Sequence, residues 1–372
     1  MQNKVCFFIG SMALGGIGKL TLHLMEEFVK KGILVDLFLM KDGGEYMEQI
    51  PKEVRIFIEE GSYFKRIYKF VVYLNREKPM VSISARQRQD LVNIFGCMMS
   101  FNKTQPVISI HTNVSVENKQ KANSRNNNVY VVILSKWLYK IPKKFIAVSK
   151  GVADDFTKRT GIKRANIKVI YNPVYKPYTE VPKLQQTLPI YEQLISEKNK
   201  RYIIGVGRLT QQKDFFTLIK AFKIVRQKVD VVLIILGEGP LRKDLEKLIV
   251  KLNLEKYIFL LGFVNNPQYY IKRADLFVLS SKWEGFGNVI VESLGVGTPV
   301  VSTDCPSGPR EILEDGKYGR LVSVENPSEM AAAIIDTLSK SKDSDLLVNR
   351  AKDFSSEKIA EEYLQYIFES KL

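Results

Sequence analysis

One stretch of this chain restricts its fold more than any other: Ser280 to Ser302, SSKWEGFGNVIVESLGVGTPVVS, with the strand that leads into it. Leu276-Phe277-Val278-Leu279 is an apolar run of strand length, and Pro299-Val300-Val301-Ser302 opens a second one. Between them lie a turn with two glycines, Gly285 and Gly287, and a short helical pattern that starts at Asn288. Strand, glycine turn, helix, strand is the repeating unit of a doubly wound α/β sheet. The same alternation runs through both halves of the 372 residues, which are enough for two domains with a core each.

The residue types within this stretch point to a ligand. Gly285 and Gly287 let the backbone turn tightly and approach a bound molecule. The free N–H groups and dipole of a helix starting at Asn288 favour an anion such as a phosphate. Glu284 precedes the helix, and Glu292 lies inside it on the face of Asn288, while Ile290 and Leu294 point to a core. Carboxylates hydrogen-bond neighbouring hydroxyls, as on a sugar or a ribose. A nucleotide-sugar has two such rings joined by a diphosphate. The alternative is a capped surface helix with two solvated glutamates.

Other strand ends carry matching chemistry. Arg201 to Val206 reads as a strand, followed by Gly207-Arg208-Leu209 and then Lys213. Arg208 and Lys213 can converge on a diphosphate, one as a fork and one as a point charge, without a metal. Near the start, the strand Lys4 to Ile9 leads into Gly15, Gly16 and Gly18 and a helix from about Gly18 to Lys31, a phosphate-cradle layout that matches neither GxGxxG nor GxxxxGK[ST]. His111 follows the strand Pro106 to Ile110, where open α/β sheets bind ligands. It is expected to titrate near neutral pH and to donate a hydrogen bond to a developing charge or leaving phosphate, with Asn113 beside it. His23, inside a helix, reads as a packed or surface residue.

The motifs EGFGNVIVE and GR-L---K resemble those of the retaining glycosyltransferases of family 4. That resemblance covers the whole chain, strongly from Gly207 to Glu292 and weakly between Asp42 and Asn128. It implies a GT-B fold: two doubly wound Rossmann-like domains facing a cleft, with a C-terminal helix crossing back to the first domain. The expected division is 1–175 for the acceptor domain, 176–355 for the nucleotide-sugar domain and 356–372 for the crossing helix. The resemblance places Glu284 on the donor sugar and Glu292 on the ribose. Arg208 and Lys213 fall on the diphosphate, and Gly15 and Gly16 near the donor phosphates and acceptor. Phe263 and Val264 fall at the nucleobase, and Gly285, Phe286, Gly287, Asn288 and Val289 in the donor turn. His111 and Glu284 are the catalytic candidates. The implied reaction retains configuration, uses a nucleoside-diphosphate sugar, most readily a UDP-sugar, and needs no metal and no further cofactor. The implied acceptor is a lipid-linked or polymeric saccharide in bacterial surface glycan assembly. Single roles in Cys305 to Glu311 are left open.

Composition narrows the partners. Hydrophobic content of 45% and charged content of 26% are those of a globular protein. No apolar run approaches the roughly 20 residues of a membrane span, and MQNKVCFFIG reads as a first strand rather than a signal peptide. Cys6, Cys97 and Cys305 suggest neither disulfides nor a metal site. The net charge is +16, and residues 1–175 hold 28 Lys+Arg against 14 Asp+Glu. A basic half suits a polyanion, either nucleic acid or an anionic membrane. Two segments mix basic and aromatic residues as a membrane interface does, Tyr63 to Lys78 and Tyr130 to Phe145. These features, together with the family resemblance, imply a cytoplasmic protein peripheral to the inner face of the membrane. Asn118 to Asn128 reads as a polar loop beside the acceptor. Two rivals remain, a nucleotide-sugar epimerase of the same fold and a basic nucleic-acid-binding protein. The second lacks any recognisable reading module, so no nucleic acid is expected. A nicotinamide oxidoreductase lacks its dinucleotide fingerprint.

Overall fold

The computed structural model describes residues 3–13, 15–113, 115, 137–177, 191–192 and 200–369. The chain divides into two compact units, Met1–Val174 with Ser356–Leu372, and Tyr175–Ser355. The last helix is thus part of the first unit.

Unit 1 is built on β1 (Lys4–Ile9), β2 (Leu34–Leu39), β3 (Arg55–Ile58), β4 (Val81–Ser84), β5 (Gln105–Ile110), β6 (Lys144–Ala147) and β7 (Ile167–Val169). All pairs are parallel, in the order β3-β2-β1-β4-β5-β6-β7. Each crossover needs a helix, and α1 (Gly16–Lys30), α2 (Tyr63–Glu77), α3 (Gln87–Met99) and α4 (Lys150–Thr160) supply four of them. The central strands are apolar on both faces because helices cover both. Val5, Phe7 and Ile9 pack with Leu24 and Phe28 of α1 and with Ile359, Tyr363 and Ile367 of the C-terminal helix Ser356–Phe368. That helix is anchored at its end by Lys144, whose buried Nζ donates to the carbonyls of Tyr366, Ile367 and Glu369 at 2.7, 2.9 and 2.9 Å. Ser62 and Ser149 cap α2 and α4 by accepting from Lys65 N and Val152 N.

Unit 2 carries β8 (Arg201–Val206), β9 (Val231–Leu236), β10 (Ile258–Gly262), β11 (Leu276–Leu279), β12 (Val300–Thr303) and β13 (Arg320–Val322), all parallel, in the order β10-β9-β8-β11-β12-β13. Its helices are α5 (Phe215–Arg226), α6 (Arg242–Lys251), α7 (Pro267–Arg273), α8 (Asn288–Gly295), α9 (Pro309–Ile312), α10 (Pro327–Leu338) and α11 (Ser344–Lys352). The C-terminal helix is α12. In each unit the strand order reverses once, at β1/β4 and at β8/β11. Ligands of open α/β sheets bind beyond the strand ends at such a reversal.

The basic-aromatic segments are resolved unequally. On α2, Phe64 and Tyr68 are exposed, but Phe70 and Tyr73 join the core with Phe8 and Phe38. In the second segment Trp137 is exposed, whereas Tyr139 is buried on Asp90 at 2.9 Å and Lys144 is the buried anchor of α12. Burial thus takes Tyr139 and Lys144 out of that segment's candidate patch, while Trp137, Lys140, Ile141 and Lys143 are exposed. The rest of that segment, residues 130–136, and the whole of the loop expected over 118–128 lie outside the described residues.

Candidate active site

In unit 2 the loops after β8 and β11 flank the strand reversal and are stitched together. Lys282 N donates to Gln212 O at 2.8 Å, Gln212 Nε2 donates to Trp283 O at 3.1 Å, and Ser280 Oγ donates to Lys213 O at 2.7 Å. Glu284 is buried and its Oε1 accepts from Lys213 Nζ at 2.5 Å and from Ser281 Oγ at 2.6 Å. Two residues expected to hold different parts of a ligand thus hold each other. The reason is topological, since β8 and β11 are neighbours and both loops leave the same edge.

Beside this pair Gly287, at φ 102°, is the N-cap residue of α8 and provides no side-chain cap. Glu292 is buried on α8, and Ile290 and Leu294 are in the core. Gly285, Asn288 and Val289 are half-buried on the turn. Phe286 is not open to a ligand, because its ring packs edge-on against Phe354 with centroids 5.4 Å apart. Its contribution to the turn is its backbone. Arg208 is exposed on the loop after β8, and Phe263 is 53% exposed after β10 with Val264 half-buried beside it.

Sequence reasoning gave no individual role to three glycines that shape these loops. A Cβ on Gly237 would lie 1.9 Å from Gly207 O, and one on Gly239 would lie 2.5 Å from Leu209 O. The β9 loop therefore lies directly on the Arg208 loop, joined to it by Leu209 N donating to Glu238 O at 3.0 Å. Gly308, at φ 100°, brings the loop after β12 so near that a Cβ would meet Phe286 O at 1.8 Å. The Gly-Glu-Gly-Pro and Ser-Gly-Pro runs were the available signal. Cys305 is buried near Glu284, and burial together with that carboxylate pushes its thiol up.

In unit 1, Gly15 precedes α1 with φ 142° and Gly16 is its first residue. His111 stands just past β5, with Nε2 2.9 Å from Ser109 Oγ. Ser109 Oγ lies 3.2 Å from Tyr363 Oη of α12. Burial, with Arg86 adding to it, pushes the imidazole down to about 4. This corrects the expectation of titration near neutrality: the ring is neutral at pH 7. A cavity lined by Ile9, Thr21, Ser109, His111, Asn172 and Tyr363 adjoins it. Asn113 is buried close by. His23 is packed, its Nδ1–H donating to Pro173 O at 2.8 Å.

Comparison with known proteins bears on the family and the fold. The profile of Glycosyltransferase Family 4 matches residues 14–175, and that of Glycosyl transferases group 1 matches residues 189–354. A Campylobacter jejuni protein is 35% identical over 98% of this chain and 100% of its own length; it is N-acetylgalactosamine-N,N'-diacetylbacillosaminyl-diphospho-undecaprenol 4-alpha-N-acetylgalactosaminyltransferase. The poly(ribitol-phosphate) alpha-N-acetylglucosaminyltransferase of Staphylococcus aureus is 32% identical over 44% of this chain and 34% of its own. Among solved structures, Anabaena Alr3699/HepE in complex with UDP superimposes with a TM-score of 0.79 at 20% identity, covering 97% of this chain and 98% of that one.

Proposed function

The chain belongs to the family 4 glycosyltransferases, and from that premise we propose that it moves a hexose or N-acetylhexosamine from a UDP-sugar to a lipid-linked or polymeric saccharide acceptor in bacterial surface glycan synthesis, with retention of configuration. The observation that carries this reading is the Lys213–Glu284 pair at the strand reversal, beside the start of α8, where Gly287 provides no side-chain cap. Lys213, Arg208 and the α8 N–H groups form a cationic rim for a diphosphate. Negative charge grows on that diphosphate as the bond to the sugar breaks, so fixed cations stabilise the transition state without a metal. Glu284 is assigned to the sugar hydroxyls and Glu292 to the ribose, and Phe263 and Val264 to the base. His111 is assigned a hydrogen bond to the reacting sugar. The UDP in the Alr3699/HepE complex and the diphospho-undecaprenol in the name of the Campylobacter relative support the donor and acceptor classes.

A lipid-linked acceptor calls for a protein at a membrane surface. Among the described residues no helix is long and apolar enough to cross one. The exposed basic-aromatic face of α2 on the basic half supports peripheral binding to anionic lipid at the inner leaflet.

The test is thermal unfolding against a panel of UDP- and GDP-sugars, with wild type beside Lys213→Ala and Glu292→Ala. A ligand at about 100 times its Kd stabilises by about 2.7 kcal/mol. One UDP-sugar is expected to stabilise the wild type and neither variant. No response to any nucleotide would overturn the reading.

A further inference from the structure

We propose that Ser109 and Tyr363 are positioning residues that lock His111 in its Nδ1–H tautomer, a fixed neutral donor. The argument is a count of hydrogens. Tyr363 Oη, Ser109 Oγ and His111 Nε2 form a chain with separations of 3.2 and 2.9 Å. All three residues are at the apolar heart of unit 1 or at its cavity, where unused polar hydrogens are costly. Nδ1 of His111 is buried without a hydrogen-bond partner.

If Tyr363 donates to Ser109 and Ser109 donates to Nε2, both hydroxyl hydrogens are used and the ring proton sits on Nδ1. If instead Nε2–H donates to Ser109 and Ser109 to Tyr363, the phenol hydrogen is left without an acceptor among the described residues and Nδ1 keeps a bare lone pair. If both neighbours donate to Ser109, its own hydrogen is unused. Three hydrogens share two contacts, so each arrangement leaves one unused; the first leaves only the Nδ1–H unmet, whereas each of the others leaves a hydroxyl hydrogen and the Nδ1 lone pair unmet. Burial holds the ring neutral near pH 7, so this N–H serves a ligand as a hydrogen-bond donor that retains its proton. A sugar hydroxyl or phosphate oxygen is the matching acceptor. The phenol comes from α12, more than two hundred residues along the chain from the histidine it governs.

The role of that N–H in transfer rests on the function proposed above, but the tautomer does not. The test is therefore in two parts. Long-range proton–nitrogen NMR on the full chain, labelled at its two histidines, reads the tautomer directly, with His111→Gln assigning the signals. The expected spectrum has His111 neutral and protonated at Nδ1. Tyr363→Phe and Ser109→Ala should shift proton population to Nε2, and Ser109→Thr, which keeps the hydroxyl, should not. A proton on Nε2 in the wild type, or a tautomer indifferent to both substitutions, would overturn the proposal. In transfer assays Ser109→Ala should lose about tenfold or more in rate and Ser109→Thr should recover most of it, with nucleotide stabilisation the same in all. Equal rates in Ser109→Ala and wild type would remove the relay from the reaction. Absence of nucleotide stabilisation in the wild type would instead count against the glycosyltransferase assignment, while the spectrum still decides the tautomer.

Discussion

Lys213 and Glu284 are 71 positions apart and meet at 2.5 Å with little access to water. Taking two charges out of water is costly, so such a pair is weak evidence of stability in itself, but removing one partner strands the other. Lys213→Met takes the Lys213 ammonium from the Glu284 carboxylate and leaves it the Ser281 hydroxyl. We expect a loss of about 2–4 kcal/mol in urea unfolding, at the lower part of the range for buried pairs because Lys213 retains some exposure. Glu284→Gln in the same background should restore about 1 kcal/mol or more, since the stranded charge is gone. A Lys213→Met loss below about 0.5 kcal/mol would mean that the pair is effectively solvated. The same contact complicates a ligand assay, because either substitution changes both groups. Spacing in the sequence suggested what Lys213 and Glu284 are each suited to bind. It held no sign that they bind each other, since that depends on β8 and β11 being neighbours.

The elements that hold this pair are loops kept in place by neighbouring loops. Thr303 Oγ1 donates to Ser281 O at 2.6 Å, and Glu284 N donates to Pro306 O at 3.2 Å. The segment after β12, whose residues had no individual roles in the sequence reading, is the outer wall of the glycine turn. Gly308 is its closest point. Gly308→Ala must both hold a side chain at positive φ and push Phe286 O aside, whereas Gly316→Ala meets the first cost alone, because nothing stands within 4 Å of its Cβ position. Calorimetry should show about 1 kcal/mol lost for Gly316→Ala and about 2–4 kcal/mol for Gly308→Ala, with nucleotide stabilisation abolished only in the latter. Equal losses would place the cost in the backbone angle rather than the contact. Strands with long apolar runs, such as VVLIIL of β9, were legible from pattern. Short β3 and β4 and the helix α3 were not, because four-residue strands and a helix with buried Gln89, Asp90 and Asn93 lack a clear apolar period.

At the scale of the molecule, nearly all of the excess charge of +16 lies in residues 1–175, where 28 basic and 14 acidic side chains leave a net +14. Composition identified the basic half but not its working surface, because burial divides residues that look alike in the sequence. Tyr73 and Phe70 are core and Tyr68 and Phe64 are not. The exposed set has a pattern: Phe64, Tyr68 and Val72 recur every four residues on one face of α2, and Phe101, 98% exposed, joins it where Phe101 N donates to Asn75 Oδ1 at 2.8 Å. Residues 61–76 hold Lys65, Arg66, Lys69 and Arg76 and no acidic side chain. Apolar tips flanked by cations suit the headgroup region of an anionic bilayer, where each cation near the surface contributes about 1 kcal/mol at low salt and each buried aromatic more. Vesicle flotation of the full chain should therefore show binding to phosphatidylcholine mixed with phosphatidylglycerol, weakening as salt rises, and little binding to phosphatidylcholine alone. Phe64→Ser with Tyr68→Ser should weaken it about tenfold or more without changing the unfolding temperature, because both side chains are already in water. Equal binding to neutral vesicles would discard the electrostatic part. Unchanged binding by the double variant would move the membrane contact elsewhere on the basic half, and a dimer in sedimentation that the double variant dissolves would assign this face to a second copy of the chain instead.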